Sequence, residues 1–122
     1  GGQVHTIERN GELSARARKR LRNLGYDENV KFRVGDGSRG WSDYAPYDRV
    51  LVTAGAPSVP ESLKQQAGPD ARIVIPVGSK SRQELMVLSR EKGGEWSEQR
   101  HIGCVFVPLT GTEGWEDPDR DE

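Results

Sequence analysis

The sequence predicts an α/β domain whose mostly parallel sheet ends in antiparallel strands, and three observations support this fold class. Short β-rich runs and helical segments follow one another in the order β-α-β-β-α-β-β-β. The apolar run Val50-Leu51-Val52 is continuous rather than alternating, as expected of a strand that is covered on both faces. Gly93-Gly94 separates the last two β-rich runs and indicates a turn between antiparallel strands.

The first part of the chain predicts a strand, a helix and a second strand. Residues 3–8 are β-rich, and the alternating run VKFRV at 30–34 forms the second strand. Between them, four residues lie at i, i+4, i+8 and i+11 and form the apolar stripe of a helix: Leu13, Ala17, Leu21 and Leu24. Asn10 suits the N-cap of this helix, and Gly25 suits its C′ position.

The second part of the chain predicts the remaining elements. Strands are predicted at residues 47–53, 71–77, 84–90 and 101–109. A short helix is predicted at 60–67, with Pro60 in its first turn. Ligands of such sheets bind at the carboxyl ends of the parallel strands, so these ends are the first place to look for a site.

The composition limits the core that the chain can build. The chain has 122 residues, of which 33% are hydrophobic and 30% charged, and its mean hydropathy is -0.78. This length fits one domain, predicted over residues 1–111, but the composition is polar for a self-sufficient core. The chain is therefore either unusually soluble or without part of its core.

The last eleven residues differ from the rest in charge. Residues 112–122 carry six acids and one base, whereas the whole chain has a formal net charge of -1. A segment of this composition is typical of an acidic, disordered tail.

Cysteine content and hydropathy bear on where the protein works. The single Cys104 cannot form an intramolecular disulfide, which favours a reducing, cytoplasmic setting. Apolar runs stay well below the ~18 residues of a membrane span, so no membrane partner is predicted.

Two acids follow predicted parallel strands. Glu8 ends the first strand, and Asp36 follows the second within the stretch GDGSRGW. Carboxylates at this edge of a sheet can accept hydrogen bonds from the sugar hydroxyls or the exocyclic amine of a nucleoside, and Gly37 would let a flat ring approach the backbone. Either acid is also compatible with an ordinary solvated turn, because Asp-Gly is common in turns.

Other kinds of site have little support. His5 and His101 have no second histidine or cysteine at metal-ligand spacing, so no metal site is predicted. Cys104 lies in an apolar run and is predicted to be a small buried residue rather than a nucleophile. The basic face of the first helix is predicted to be solvated, without a nucleic-acid partner.

Five segments, in this order, carry a resemblance to a known family. They are VHTIERNGELSARARKRLRNLG, NVKFRVGDGSRGW, APYDRVLVTAGAPSVPESLKQQ, RIVIPVGSKSRQELMVL and GCVFVPLTG. Together they resemble the carboxyl-terminal two thirds of the protein-L-isoaspartate O-methyltransferases, which are class I S-adenosylmethionine-dependent enzymes. The pairing of GDGSRGW with APYDRVLVTAGAP is the most specific part. The resemblance implies a Rossmann-like methyltransferase fold.

The resemblance also implies roles for residues at the strand ends. Glu8 would bind the ribose hydroxyls of S-adenosylmethionine, and Asp36 with Gly37 would meet its adenine. Further residues would border the methyl-transfer site or form the wall that holds an isoaspartyl peptide: Thr53, Ala54, Pro57, Gln83 and Val107.

The chemistry implied by the resemblance is a repair methylation of isoaspartyl (and D-aspartyl) residues in damaged proteins. The nucleophile is the substrate's own carboxylate, which with an ordinary pKa of ~4 is ionised at neutral pH and needs no general base. The resulting methyl ester closes to a succinimide that reopens partly to normal aspartate.

The family's glycine-rich S-adenosylmethionine loop and its first strand would lie before Gly1. We therefore expect a domain truncated at its amino terminus, in which neighbouring strand edges lack a partner. We also expect these 122 residues by themselves to bind the cofactor weakly and to be inactive.

Three alternatives stay open from the sequence. Another class I methyltransferase would share the sheet, although a strand ending in VTAGAP argues against amino-group methylation. A dinucleotide oxidoreductase also places an acid after its second strand, but it offers no reason for GDGSRGW. A non-catalytic module could retain the fold without the chemistry.

Overall fold

A computed structural model describes residues 2–116 of the chain. It divides into two compact units, with the boundary between Gly37 and Ser38. A single domain over residues 1–111 stays a prediction from the sequence. The six strands form two separate sheets, and each sheet belongs to one unit. The α/β class is confirmed, with parallel pairs in both sheets and antiparallel strands at the end of the chain.

The first unit is a β-α-β arrangement. Its strands are β1 (Val4–Glu8) and β2 (Val30–Val34), and its helix is α1 (Gly11–Asn23). The two strands pair in parallel, in a register that runs from Val4 opposite Val30 to Glu8 opposite Val34. Both strands therefore end at the same level.

Both predicted ends of α1 are confirmed. The Asn10 Oδ1 atom accepts hydrogen bonds from the backbone N–H groups of Glu12 and Leu13, at N···O distances of 2.9 and 3.1 Å. At the other end, Gly25 has a φ of 81° and donates its N–H to the Arg22 carbonyl at 3.1 Å. This geometry closes the helix because glycine adopts the left-handed conformation without a Cβ penalty.

The apolar stripe of α1 is largely uncovered in the described residues. Leu13 is 50% exposed and Leu24 is 63% exposed, while the buried residue of the helix is Ser14. A two-stranded sheet offers too little area to cover the stripe, so the helical spacing predicted the element correctly but not the burial of its apolar side chains.

The second unit contains the larger sheet. Its elements are β3 (Tyr47–Leu51), α2 (Glu61–Gln65), β4 (Ala67–Gly78), β5 (Gln83–Arg90) and β6 (Trp96–Cys104), together with the 3-10 turn Ser42–Tyr44. The strand order is β3-β4-β5-β6, in which β3 and β4 are parallel and the other two pairs are antiparallel.

The last strand starts earlier than predicted. The Gly94 N–H donates to the Glu91 carbonyl at 2.9 Å, and this turn brings Trp96 opposite Arg90. Pairing then runs through polar residues to Cys104, so the predicted strand at 101–109 was wrong in its bounds. An exposed edge strand tolerates polar residues on both faces, which hid it from an analysis of hydrophobic patterns.

The core of this unit lies between its sheet and the segments that cover it. Ile73 and Ile75 of β4 and Leu88 of β5 are fully buried, in a cluster with Ala56, Leu63 and Met86. On β3, Val50 packs against this cluster, but Leu51 is 72% exposed. The prediction that Val50-Leu51-Val52 is covered on both faces was therefore wrong for Leu51.

The loop before β3 is fixed by one amide side chain. The Gln66 Oε1 atom accepts the Trp41 N–H at 2.9 Å, and its Nε2 atom donates to the Arg39 carbonyl at 2.9 Å. The Tyr47 hydroxyl also donates to the Trp41 carbonyl. Gly40 has a φ of 65°, and a Cβ atom there would lie 2.2 Å from Gln66 Oε1.

Residues 112–116 differ from the predicted disordered tail. The Glu113 N–H donates to Ser38 Oγ at 3.0 Å, and its carboxylate accepts the Ser62 N–H at 2.9 Å. These bonds place the segment with the second unit, because backbone groups and a carboxylate find partners there. The rest of the predicted tail, residues 117–122, lies outside the described residues.

Gly40 allows the contribution of the Gln66 side chain to stability to be tested in the full-length protein. We expect Gly40→Ala to lower the free energy of unfolding by about 3 kcal/mol, because it combines a left-handed backbone with the loss of the Gln66 hydrogen bonds. Gly94→Ala shares the positive φ but has open space around its Cβ, so about 1 kcal/mol is expected. Gly93→Ala, with neither constraint, serves as the control in the same urea unfolding series. Equal losses for Gly40→Ala and Gly94→Ala would contradict the role of Gln66.

Candidate functional site

The predicted cofactor residues meet at the carboxyl ends of β1 and β2. Glu8 lies opposite Val34 in the parallel register, and the Gly35 N–H donates to the Glu8 carbonyl at 3.1 Å. The Glu8 Oε1 atom accepts the Asn10 N–H at 3.1 Å, which ties the carboxylate to the start of α1. Glu8 and Asp36 are both half-buried. The structure thus brings both predicted acids to one edge of the sheet.

Gly37 follows these strand ends without a structural reason for glycine among the described residues. Its backbone lies outside the left-handed region, and a Cβ atom built on it would meet only Ile7 side-chain atoms, at 3.9 Å. That distance is an ordinary van der Waals contact. The glycine leaves the backbone at this position without a side chain, which gives space for close approach by a ligand.

The segment after β3 forms a second candidate site, and its centre is held like a strand. The Gly55 N–H donates to the Val107 carbonyl at 2.7 Å, and the Leu109 N–H donates to the Gly55 carbonyl at 2.8 Å. On the other edge, Ala56 exchanges hydrogen bonds with the end of β4, at 2.9 Å to the Pro76 carbonyl and 3.0 Å from the Gly78 N–H. Residues 107–109 and β4 therefore hold the segment from both sides.

Gln83 lies beneath this segment rather than on its surface. The side chain is 1% exposed, and its Nε2 atom donates to the Ser79 carbonyl at 2.6 Å. Its Oε1 atom accepts the Phe106 N–H at 2.7 Å. Gln83 therefore joins the loop after β4 to the segment that contains Val107, and its amide has partners for both donor and acceptor.

The other predicted substrate residues face outward. Thr53 and Pro57 are exposed, Ala54 is half-buried, and Val107 is 72% exposed. The hydrogen bond between Gly55 and Val107 brings Ala54 beside Val107, with Gln83 behind them. Thr53 and Pro57 flank this pairing along the chain.

Trp115 contacts the centre of the second site and was not predicted from the sequence as a site residue. The Trp115 Nε1–H donates to the Gly55 carbonyl at 3.0 Å, and the Trp115 N–H donates to the Leu109 carbonyl at 2.7 Å. The Lys80 ammonium lies 5.4 Å from the centre of the indole ring. A single tryptophan within a run of acids was the available signal, because an aromatic side chain is atypical of a solvated tail.

Metal-binding clusters and membrane-spanning helices are absent from residues 2–116. That part of the chain has no group of three or more His, Cys, Asp and Glu side chains arranged to hold a metal ion. It also has no helix that is long and apolar enough to span a membrane.

Comparison with solved structures defines the class of the fold. A protein-L-isoaspartate O-methyltransferase matches 93% of this chain and 36% of its own, with a TM-score of 0.82 and 28% identity. A second match, with a TM-score of 0.75 and 20% identity, covers 88% of this chain and 52% of its own and supports the fold alone. It is described as a candidate protein-L-isoaspartate O-methyltransferase from Plasmodium falciparum in complex with S-adenosyl-L-homocysteine. The fold is therefore that of the Rossmann-like methyltransferases.

The sequence comparisons identify the family. Residues 1–114 match the model of the protein-L-isoaspartate(D-aspartate) O-methyltransferase (PCMT) family, and the chain belongs to it. A protein-L-isoaspartate O-methyltransferase of Methanopyrus kandleri is 52% identical over 118 residues, which are 97% of this chain and 52% of that protein. One from Thermococcus onnurineus is 47% identical over 93% of this chain and 52% of its own length. The chain spans about half the length of the curated relatives it matches, and the resemblance found in the sequence is confirmed.

Proposed function

We propose that the full-length protein transfers a methyl group from S-adenosylmethionine to the free carboxylate of L-isoaspartyl and D-aspartyl residues in damaged proteins. The observation that carries this proposal is the family match over residues 1–114, which includes both candidate sites. The partners are then peptides and proteins that contain isoaspartate. A cytoplasmic setting and the absence of a nucleic-acid partner stay predictions from the sequence.

The strand ends of the first unit supply the cofactor contacts in this proposal. Glu8 and Asp36 present carboxylates at the edge where nucleotide ligands of parallel sheets bind, and Gly37 leaves the backbone open beside them. Glu8 is suited to the ribose hydroxyls, and Asp36 to the adenine amine. The family match over residues 1–114 supports a cofactor of this chemistry, and the Plasmodium falciparum neighbour of the same fold is described in complex with S-adenosyl-L-homocysteine.

The exposed residues of the second unit supply the substrate contacts. Thr53, Ala54, Pro57 and Val107 leave side chains or backbone accessible next to Gly55 and Ala56, whose backbone N–H and C=O groups are hydrogen-bonded. A peptide can therefore bind without first breaking the bonds that hold Gly55 and Ala56 in place. Gln83 acts from below, by holding the backbone that carries Val107.

The reaction suits a site without an assigned general base. S-adenosylmethionine, when bound, supplies a sulfonium methyl group that a carboxylate oxygen attacks directly, with cleavage of the methyl–sulfur bond. The substrate carboxylate is ionised at neutral pH, so the protein need not remove a proton. The residues of the chain act by orienting the substrate and excluding water, and good alignment can supply ~7 to 11 kcal/mol of the barrier reduction.

The 122 residues alone are proposed to bind the cofactor weakly and to lack activity. The relatives that share the family name are about twice as long, and α1 and β3 leave apolar residues such as Leu13 and Leu51 exposed here. A micromolar dissociation constant of the isolated chain for S-adenosylhomocysteine, measured by calorimetry, would contradict this.

The activity is tested with the full-length protein, tritiated S-adenosylmethionine and two peptides that differ only at one residue. We expect base-labile label on the isoaspartyl peptide and background label on the aspartyl version. In the isoaspartyl peptide the chain runs through the side-chain carbonyl and the α-carboxylate is free, whereas the aspartyl peptide has only its side-chain carboxylate free. Equal labelling of both peptides would point to another carboxyl methyltransferase. Absence of label on both peptides would reject the proposed function.

The cofactor contacts are tested with nearly isosteric variants of the full-length protein. Glu8→Gln and Asp36→Asn remove the charge and keep the shape, so each is expected to raise the dissociation constant for S-adenosylhomocysteine by about tenfold or more. Glu28→Gln, at an exposed position in the same unit, is the matched control and is expected to leave binding unchanged. Titration calorimetry measures all three, and unchanged binding by both strand-end variants would remove these acids from the site.

A further inference from the structure

We propose that Trp115 and Gln83 are positioning residues that hold Gly55 from two sides and thereby set the spacing between Ala54 and Val107, where the substrate peptide binds. This inference rests on the proposed function. It adds a residue outside the predicted site, Trp115, and gives Gln83 a role different from direct contact with the substrate.

Trp115 holds Gly55 through the carbonyl group of the glycine. Its oxygen accepts two hydrogen bonds, from the Leu109 N–H at 2.8 Å and from the Trp115 indole N–H at 3.0 Å. A carbonyl oxygen has two lone pairs, so both are used. The direction of the peptide group after Gly55 is therefore fixed by a side chain 60 residues away along the chain.

Gln83 holds Gly55 through a contact with the α-carbon of the glycine. A Cβ atom there would lie 2.7 Å from the Gln83 Cδ atom, so the amide group packs directly against the glycine. Gln83 cannot easily withdraw, because its Nε2 atom is bonded to the Ser79 carbonyl and its Oε1 atom to the Phe106 N–H. The same amide thus supports Gly55 and fixes the residue before Val107.

Trp115 is itself well anchored. Its N–H donates to the Leu109 carbonyl at 2.7 Å, and its carbonyl accepts the Gly111 N–H at 2.9 Å. The Lys80 ammonium lies over the indole ring at 5.4 Å. Because the backbone and the ring of Trp115 are both held, the indole N–H is kept in position to donate to the Gly55 carbonyl.

The spacing matters because the reaction depends on alignment. The Gly55 N–H donates to the Val107 carbonyl, so a shift of Gly55 moves the exposed residue Val107 relative to Ala54. A peptide bound across these residues would then present its carboxylate off the line of methyl transfer. The cofactor residues Glu8 and Asp36 belong to the other unit.

Trp115→Phe in the full-length protein tests this role. The variant keeps an aromatic ring for Lys80 and removes the hydrogen bond to Gly55. We expect the KM for an isoaspartyl peptide to rise about three- to tenfold, the range of one lost neutral hydrogen bond. The KM for S-adenosylmethionine should stay near its wild-type value, and the unfolding midpoint should fall only slightly, because a single hydrogen bond is lost.

Trp96→Phe is the matched control. Trp96 lies on β6, where its ring is 5.5 Å from the Arg90 guanidinium, and it is outside both candidate sites. We expect wild-type kinetics for this variant.

Gln83→Glu provides a second, independent measurement. The introduced carboxylate would face the Ser79 carbonyl without a proton to donate, so the peptide KM should rise. Lower pH would protonate the carboxyl group and restore the donor, so the KM ratio of variant to wild type should fall as the pH falls.

The outcomes separate the two hypotheses. Wild-type protein without label on the isoaspartyl peptide rejects the proposed function, and the positioning role with it. Active wild-type protein with an unchanged peptide KM in Trp115→Phe rejects the positioning role alone. Equal rises of both KM values, together with a large fall of the unfolding midpoint, would show a general structural role instead and would also overturn the proposal.

Discussion

The backbone of Gly55 and Ala56 is the point on which the second unit depends. The chain leaves β3 and must keep its N–H and C=O groups bonded while it passes between the end of β4 and residues 107–109. Gly55 satisfies one side with Val107 and Leu109, and Ala56 satisfies the other with Pro76 and Gly78. Both residues are buried, so a lost bond could not be replaced by water at little cost. The glycine is required because the Gln83 amide occupies the space of a Cβ atom.

The candidate substrate site therefore has two kinds of residue, buried ones that hold its backbone and exposed ones that can contact a substrate. Gly55 and Gln83 are buried and have their polar groups bonded within the protein, whereas Thr53, Pro57 and Val107 are exposed. Buried residues that hold the backbone, next to exposed residues that can contact a peptide, suit a reaction in which the nucleophile is a carboxylate of the substrate. The protein then has to align this carboxylate with the methyl group. The cofactor candidates form a second, independent arrangement, in which the parallel register of β1 and β2 brings Glu8 and Asp36 to one edge.

The sequence predicted what depends on neighbours along the chain. The N-cap at Asn10, the helix end at Gly25 and the strand-end positions of Glu8 and Asp36 follow from local patterns, and the structure places them as expected. It did not predict what depends on distant partners. Trp115 bonds to Gly55 across 60 residues, and Glu113 bonds to Ser62 across 51, so an acidic composition indicated a tail where contacts hold the chain. The exposure of Leu51 was missed for a related reason, since hydrophobic pattern alone does not show which faces of a strand are covered.

Amide hydrogen exchange of the full-length protein, followed residue by residue, tests most directly whether this segment is a fixed platform. We expect the amides of Gly55, Ala56 and Leu109 to exchange as slowly as those in the centre of β4, because each donates to a backbone carbonyl within the second unit. The Gly93 amide, in the exposed turn before β6, gives the rate of an open segment. Exchange of Gly55 and Leu109 at the Gly93 rate would show that the segment opens freely, and it would contradict the claim that Gly55 sets the geometry of the site.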